Sequence, residues 1–365
     1  MDANKKPKTL YTNIKINKLI KRGKMNKRDC AIALLICLIL MLSACKKSGA
    51  ATGGAPRTPF IGGTSGITMN FEKDSPPPEV TDDVSFAFNA IVRLKNDGEF
   101  RVDRNEIRLN LVGFDPNDFS RTFDDLRDVQ PDDSLESKKR DAEGNIVEGN
   151  PTFAMFPRGG DNFVPRTFSG NTEFTFRADA CYNYKTEANT KLCVLKDMIN
   201  IRDDSLCRPN GARTIYPSGA PVQVTNFRQT VVGKNKLSFS FDIVLSGNVD
   251  IFWKKDTAVT PSGGFDAACP RDPRARREVE NNVEVEITEI PVDPIFQNVK
   301  CGGLDDNGFR GTVKLINGRR TLTCTVELVT DRLDLEKTMG IHLRYNVLDN
   351  KETKVLIKHL AVANP

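Results

Sequence analysis

The residues with chemistry to offer are cysteines, carboxylates and two histidines. Nine cysteines occur. Cys30 and Cys37 lie within an apolar run. Cys45 closes Leu42-Ser43-Ala44-Cys45, the pattern at which exported precursors are cut and the cysteine sulfur takes lipid. Six cysteines remain: Cys181, Cys193, Cys207, Cys269, Cys301 and Cys324. An even number in an exported chain reads as three disulfides, in a connectivity that sequence leaves open. Cys301–Cys324 leads, because Gly308 and Asn317-Gly318 can turn the chain between them. Cys181–Cys193 follows, across a hairpin turning near Glu187. Cys207–Cys269 is left by elimination, and Cys193–Cys207 is the alternative. A zinc site is the weaker reading, since there is no CxxC and the histidines are His342 and His359 alone.

Carboxylates cluster at Asp82-Asp83, Asp115 with Asp118, Asp124-Asp125, Asp203-Asp204 and Asp305-Asp306. In an extracellular fold these could take calcium, but none has the alternating DxDxDG spacing that aims side chains at one ion. Solvated turns explain them better. His342 and His359 fall in expected strands and read as structural or surface residues. No GxSxG, HExxH, Walker A or GxGxxG occurs, so no catalytic residue, metal or cofactor is assigned. Trp253 is the single tryptophan. It reads as core rather than as a sugar-stacking platform. Arg271, Arg274, Arg276 and Arg277 form a basic loop that could meet an acidic polymer or lipid head groups, although solvation alone accounts for it.

The elements that must carry these residues begin with Met25–Lys47. Lys27 and Arg28 precede an apolar run of 15 residues, Cys30 to Ala44. The run is short for a membrane span and suits a signal peptide. Met25 serves as a start as well as Met1 does. The whole chain carries +5 and residues 1–44 carry +8, so the remainder is mildly acidic at −3. That balance argues against a nucleic-acid partner. Residues 45–65 are rich in Gly, Ala, Ser, Thr and Pro and make a flexible tether. From about residue 66, alternating segments such as Ile107-Arg108-Leu109-Asn110-Leu111 and Val283-Glu284-Val285-Glu286-Ile287 announce strands. Asn96-Asp97-Gly98 marks a tight turn. Residues 115–150 are polar and read as a long surface loop with one short helix at most.

Four blocks recur in order. Ser85–Asn89 matches Ser238–Asp242, and Asn105–Leu111 matches Asn281–Ile287. Gly170–Thr175 matches Gly318–Thr323. Tyr182-Asn183-Tyr184 with Thr190–Lys196 matches Tyr345-Asn346-Val347 with Thr353–Lys358. Ordered recurrence with variable loops implies two copies of one unit. The expected fold is all-β: two tandem antiparallel β-sandwiches, at 66–209 and 213–365, behind a signal peptide (1–44) and a lipidated tether (45–65).

The order of strand, Asn-x-Gly turn, strand and an ACYxYxT…C block resembles the immunoglobulin-like β-sandwich domains of archaeal cell-surface proteins. SFAFNAIVRLKNDGEF is similar to the opening of adhesion-type domains in such proteins. The resemblance implies a sandwich fold and a cell-surface setting, and it supplies no catalytic residues. The resulting expectation is a non-enzymatic lipoprotein, exported and lipid-anchored on the outer face of the cytoplasmic membrane or cell surface. It would touch the membrane through lipid on Cys45 and bind an envelope protein or glycan through its 115–150 and 254–280 loops. The alternative is a carbohydrate-active or sugar-binding protein with an interdomain cleft.

Overall fold

The structure, a computed structural model, describes residues 58–83, 85–254, 261–305 and 307–360. The lipidation candidate Cys45 lies outside them. The first strands are β1 (Ile67–Phe71), β2 (Glu79–Thr81), β3 (Ala90–Asn96), β4 (Ile107–Val112), β5 (Lys139–Arg140) and β6 (Ile146–Val147). There follow β7 (Thr152–Phe156), β8 (Thr172–Val194), β9 (Gly211–Ala212), β10 (Ile215–Pro217), β11 (Val222–Gly233) and β12 (Lys236–Leu245). The last are β13 (Asp250–Phe252), β14 (Asn282–Thr288), β15 (Phe296–Cys301), β16 (Arg310–Lys314), β17 (Arg319–Leu328) and β18 (Leu335–Lys358). Two short helices, α1 (Phe265–Ala268) and α2 (Pro273–Val279), lie between β13 and β14. The protein is all-β and of sandwich type.

A three-stranded sheet has the order β1-β3-β7, and a five-stranded one has β15-β17-β12-β11-β9. An eight-stranded sheet runs β10-β8-β18-β14-β16, with β4 added to β8 and β2 and β13 added to β18. Its spine is the antiparallel pair β8–β18, in unbroken register from Thr172↔Ile357 to Val194↔Leu335. Period two sets which side chains of the two strands face inward. Ala178, Ala180, Tyr182, Tyr184, Thr186, Ala188, Thr190 and Leu192 all point inward from β8 and are buried. Met339, Ile341, Leu343, Tyr345 and Val347 do the same from β18.

The expected boundary near residues 209–213 is not a break in packing. The described residues from Thr58 on form one compact unit, and one hydrophobic cluster includes Val92, Tyr184, Phe239 and Ile341. The repeat nonetheless has a topological counterpart. β1, β3 and β7 are joined as β11, β12 and β17 are, while β4 flanks β8 as β14 flanks β18. Tyr182 lies opposite Val347 and Tyr184 opposite Tyr345, so a local two-fold between the strands exchanges Tyr182 with Tyr345. These are the tyrosines matched in the fourth block. In the second block, Ile107 lies opposite Tyr182, and Glu284, one past Val283, lies opposite Arg344, one before Tyr345. The other two blocks behave differently. Ser85–Asn89 precedes β3 whereas Ser238–Asp242 is inside β12, and Gly170–Thr175 opens β8 whereas Gly318–Thr323 opens β17.

The disulfides are Cys181–Cys269, Cys193–Cys207 and Cys301–Cys324. Cys301 and Cys324 face each other across β15 and β17, as their turn residues suggested. Cys181–Cys193 and Cys207–Cys269 are not formed. No hairpin turns at Glu187, because β8 runs straight through it. Two cysteines twelve residues apart on one strand are separated by roughly 40 Å at ~3.3 Å per residue. Cys193 instead takes the alternative partner Cys207.

The 115–150 segment is not a surface loop throughout. Phe119, Leu126, Val129 and Leu135 are buried, the first two on 3-10 turns at Pro116–Phe119 and Asp124–Leu126. Phe119 meets Phe88, Phe114, Phe163, Phe174 and Phe176 at centroid distances of 5.0–6.0 Å. Such isolated anchors among polar residues carry no period, so the pattern hid them.

Candidate interaction surface

The outward face of β1-β3-β7 is built by simple alternation. Ile67 and Met69, then Ala90, Val92 and Leu94, then Ala154 and Phe156 point inward and are buried. Thr68 and Asn70, then Ile91, Arg93 and Lys95, then Phe153 and Met155 point outward. Strand register arranges them in rungs. Asn70 lies beside Arg93 and Arg93 beside Phe153, while Ile91 lies beside Met155. Glu72 donates its backbone N–H to the Ile91 carbonyl at 2.8 Å and so extends the second rung. Asp132 donates its N–H to Phe153 O at 2.9 Å and flanks the first.

Phe153 and Met155 are 37% and 41% exposed and stand together on one sheet face. They line a hollow of about 460 Å³ with Ile91, Arg93, Glu72 and Asp132. A second hollow of about 180 Å³ adjoins it through Glu72 and Arg93 and reaches Thr68, Asn70 and Lys95. The Lys95 ammonium is held by Asp97 and Glu148, each at 2.9 Å, and these partners raise its pKa. Glu148 follows the β5–β6 hairpin and thereby leashes it to β3. The hairpin exposes Ile146 and Val147. The arrangement offers apolar contact at its centre and charge of both signs at its rim, as a macromolecular contact requires.

The sequence candidates lie elsewhere. His359 Nδ1 is 2.7 Å from Asp82 Oδ2. Asp82 also accepts from Leu360 N at 2.9 Å and Phe168 N at 3.0 Å, and the His359 hydrogen bond leads in holding its pKa down to about 2. This is a clasp on the end of β18. His342 sits between Glu187 of β8 and Glu286 of β14 on the outer face of the large sheet. Burial, helped by Lys185, pushes its pKa down against the pull of nearby glutamates, so the imidazole is neutral at pH 7. Lys185 is already paired with Glu187 at 2.6 Å, and Arg310 with Glu284 at 2.9 Å. Asp115 caps its own turn by accepting from Asn117 N at 2.9 Å. Among the described residues, no group of three or more His, Cys, Asp or Glu is placed to hold a metal ion.

From Pro261 on, the 254–280 loop is a helical cap on the large sheet. Asp272 accepts from Arg274 N and Ala275 N at 3.0 Å with Pro273 in the first turn, which starts α2. Phe265, Ala268, Cys269 and Val279 then bury against Cys181, Phe252 and Leu348. Two of its arginines are structural. Arg271 covers the Phe265 ring at 4.7 Å and reaches Asp179 at 3.4 Å. Arg276 covers Phe252 at 5.2 Å and pairs with Glu280 and Asp250. Arg274 and Arg277 stay exposed. Trp253 is buried, and its backbone N–H donates to the Val279 carbonyl at 2.9 Å. A further hollow holds Glu289, Asp293 and Glu336, each already engaged by Gly340 N, Lys337 and Arg213 respectively.

Sequence reading missed Phe153 and Met155. Thr152-Phe153-Ala154-Met155-Phe156 is apolar at four of its five positions, so no alternation marks which side chains face outward. No protein-family model and no curated protein matches this chain.

Proposed function

We propose that this chain is an exported, lipid-anchored surface protein that binds an envelope component through the outward face of β1-β3-β7, without performing chemistry on it. The observation that carries the reading is the pair Phe153 and Met155, held outward on a sheet with a buried inner face and rimmed by Arg93, Glu72 and Asp132. Three disulfides suit an oxidising compartment, and the Leu42–Cys45 pattern would supply the anchor. Lipid on Cys45 would hold the chain at the membrane while the tether lets the sheet face reach its partner.

The test immobilises the detergent-extracted full chain and offers it cell-envelope fractions and glycans. Saturable binding is expected, lost in the Phe153→Ser, Met155→Ser double variant while its circular dichroism stays unchanged. Intact-mass measurement should find Cys45 first and lipidated. Turnover of a glycan or peptide, abolished by one Asp or Glu substitution, would overturn the reading.

A further inference from the structure

We propose that the occupant of the β1-β3-β7 face is a second copy of this chain. The inference rests on the reading of this face as a binding surface and names its partner. The face is complementary to itself. Ile91 and Arg93 project from β3, and Met155 and Phe153 stand directly beside them on β7. A two-fold axis in the plane of contact, parallel to the strands and midway between β3 and β7, lays each strand over the other's place. Ile91 of one copy then meets Met155 of the second copy. Arg93 meets the Phe153 ring of the second copy, a cation over an aromatic face. Asp132, flanking Phe153, lies next to that guanidinium. Every contact occurs twice, as an isologous interface demands.

Charge supports the same occupant. Arg93 is exposed and enters no ion pair among the described residues, whereas Lys95 beside it is doubly paired. Asp132 is exposed as well. A purely apolar or purely anionic partner would leave one of these two charges unmatched, and a copy of the chain matches both. The face is only three strands wide, so the contact belongs with weak interfaces below about 1,200 Å². Confinement of anchored chains to one surface raises their effective concentration and compensates for that weakness.

Full-length Ile91→Cys and Met155→Cys chains, co-expressed and mildly oxidised in their own membranes, test the arrangement. A disulfide-linked species of twice the chain mass is expected on a non-reducing gel. Arg93→Glu places two carboxylates together and should cut its yield at least fivefold, and Asp132→Arg places two guanidinium groups together with the same result. The double exchange Arg93→Glu, Asp132→Arg should restore the yield, which misfolding could not mimic. Absence of the doubled species, failure of the exchange to restore it, or a link to a different envelope protein each overturns the proposal. If envelope binding survives without any doubled species, only this inference falls. If Phe153→Ser, Met155→Ser leaves envelope binding intact, the underlying reading falls too.

Discussion

Asp82 Oδ2 accepts a hydrogen bond from His359 Nδ1 at 2.7 Å, and the two residues lie at opposite ends of the folded chain. The pKa of Asp82 is held near 2, so the carboxylate is ionised and Nδ1 carries the proton. Backbone N–H groups of Phe168 and Leu360 complete its shell and tie three segments together. A carboxylate whose folded pKa lies below its unfolded value near ~4 adds stability above that value. The contribution is lost as pH falls from about 4 through about 2. Asp82→Asn should therefore lower the melting temperature by several degrees at pH 7, and the gap from wild type should close by pH 2. Thermal melts at pH 7, 4 and 2 measure it; an equal gap at all three would count against the clasp.

Gly98 is fixed by crowding rather than by backbone conformation. A Cβ there would lie 2.0 Å from Tyr184 Oη and 2.6 Å from the carbonyls of Gly219 and Ser65. The neighbours cannot yield, because Tyr184 donates to Asn96 Oδ1 at 2.9 Å and Gly219 is bound to Glu99 through backbone and side chain. Gly98→Ala should cost roughly 3–5 kcal/mol. Gly170→Ala, whose Cβ would meet nothing within 4 Å, should cost under about 0.5 kcal/mol and serves as the control. Urea melts compare them.

How far the sequence could be read follows from the same physics. Strands with a buried face announce themselves by period two, so β4, β8, β14 and β18 were legible, and so was the match of Tyr182 with Tyr345. What stayed hidden was where a strand ends. Glu187 in β8 looked like a turn because alternation is indifferent to length, and that error misassigned two disulfides. The recurring blocks were legible, but the packing of both halves about one core was not. Nothing in either half states that β8, already flanked by β4 of its own half, will take β18 along its whole other edge. The candidate surface was invisible for a related reason: an exposed Phe and Met on a strand look the same in sequence as buried ones.

Tyr345 fastens the spine to the five-stranded sheet. Thr186 Oγ1 donates to Val222 O at 2.7 Å, so the Tyr345 hydroxyl, 2.8 Å from that oxygen, must donate to it. The hydroxyl in turn accepts from Val222 N at 3.3 Å. Three strands, β8, β18 and β11, thus share one closed polar ring inside the core, and burial pushes the phenol pKa well up. Tyr345→Phe leaves Thr186 and Val222 N without this partner and should cost about 1–3 kcal/mol. Thr186→Val in the same background should cost less than it does alone, since the ring is already broken. Additive losses in that double-variant cycle would show that the ring does not act as a unit.

The bond Cys181–Cys269 should matter more to the cap than to the sheets. Cys181 lies on the outward side of β8, and without α1 and α2 it would face solvent together with Phe252 and Leu348. The bond closes a loop of 88 residues, which the chain-entropy account values at about 4–5 kcal/mol. Part of that loop, β11 and β12, is already fixed by the pairing of β11 with β12 and of β12 with β17, and by burial of Phe227, Phe239 and Phe241. The constraint therefore falls chiefly on the segment between β13 and β14. In Cys181→Ala, Cys269→Ala, hydrogen exchange should accelerate at the backbone N–H of position 269 and at Glu280, which close the turns of α1 and α2, while Tyr182 to Leu192 stays protected. Arg271 should lose its place over Phe265 and between Asp179 and Asp266 as the helices loosen. Exchange that rises equally along β8 would mean that the bond stabilises the spine itself, against this account.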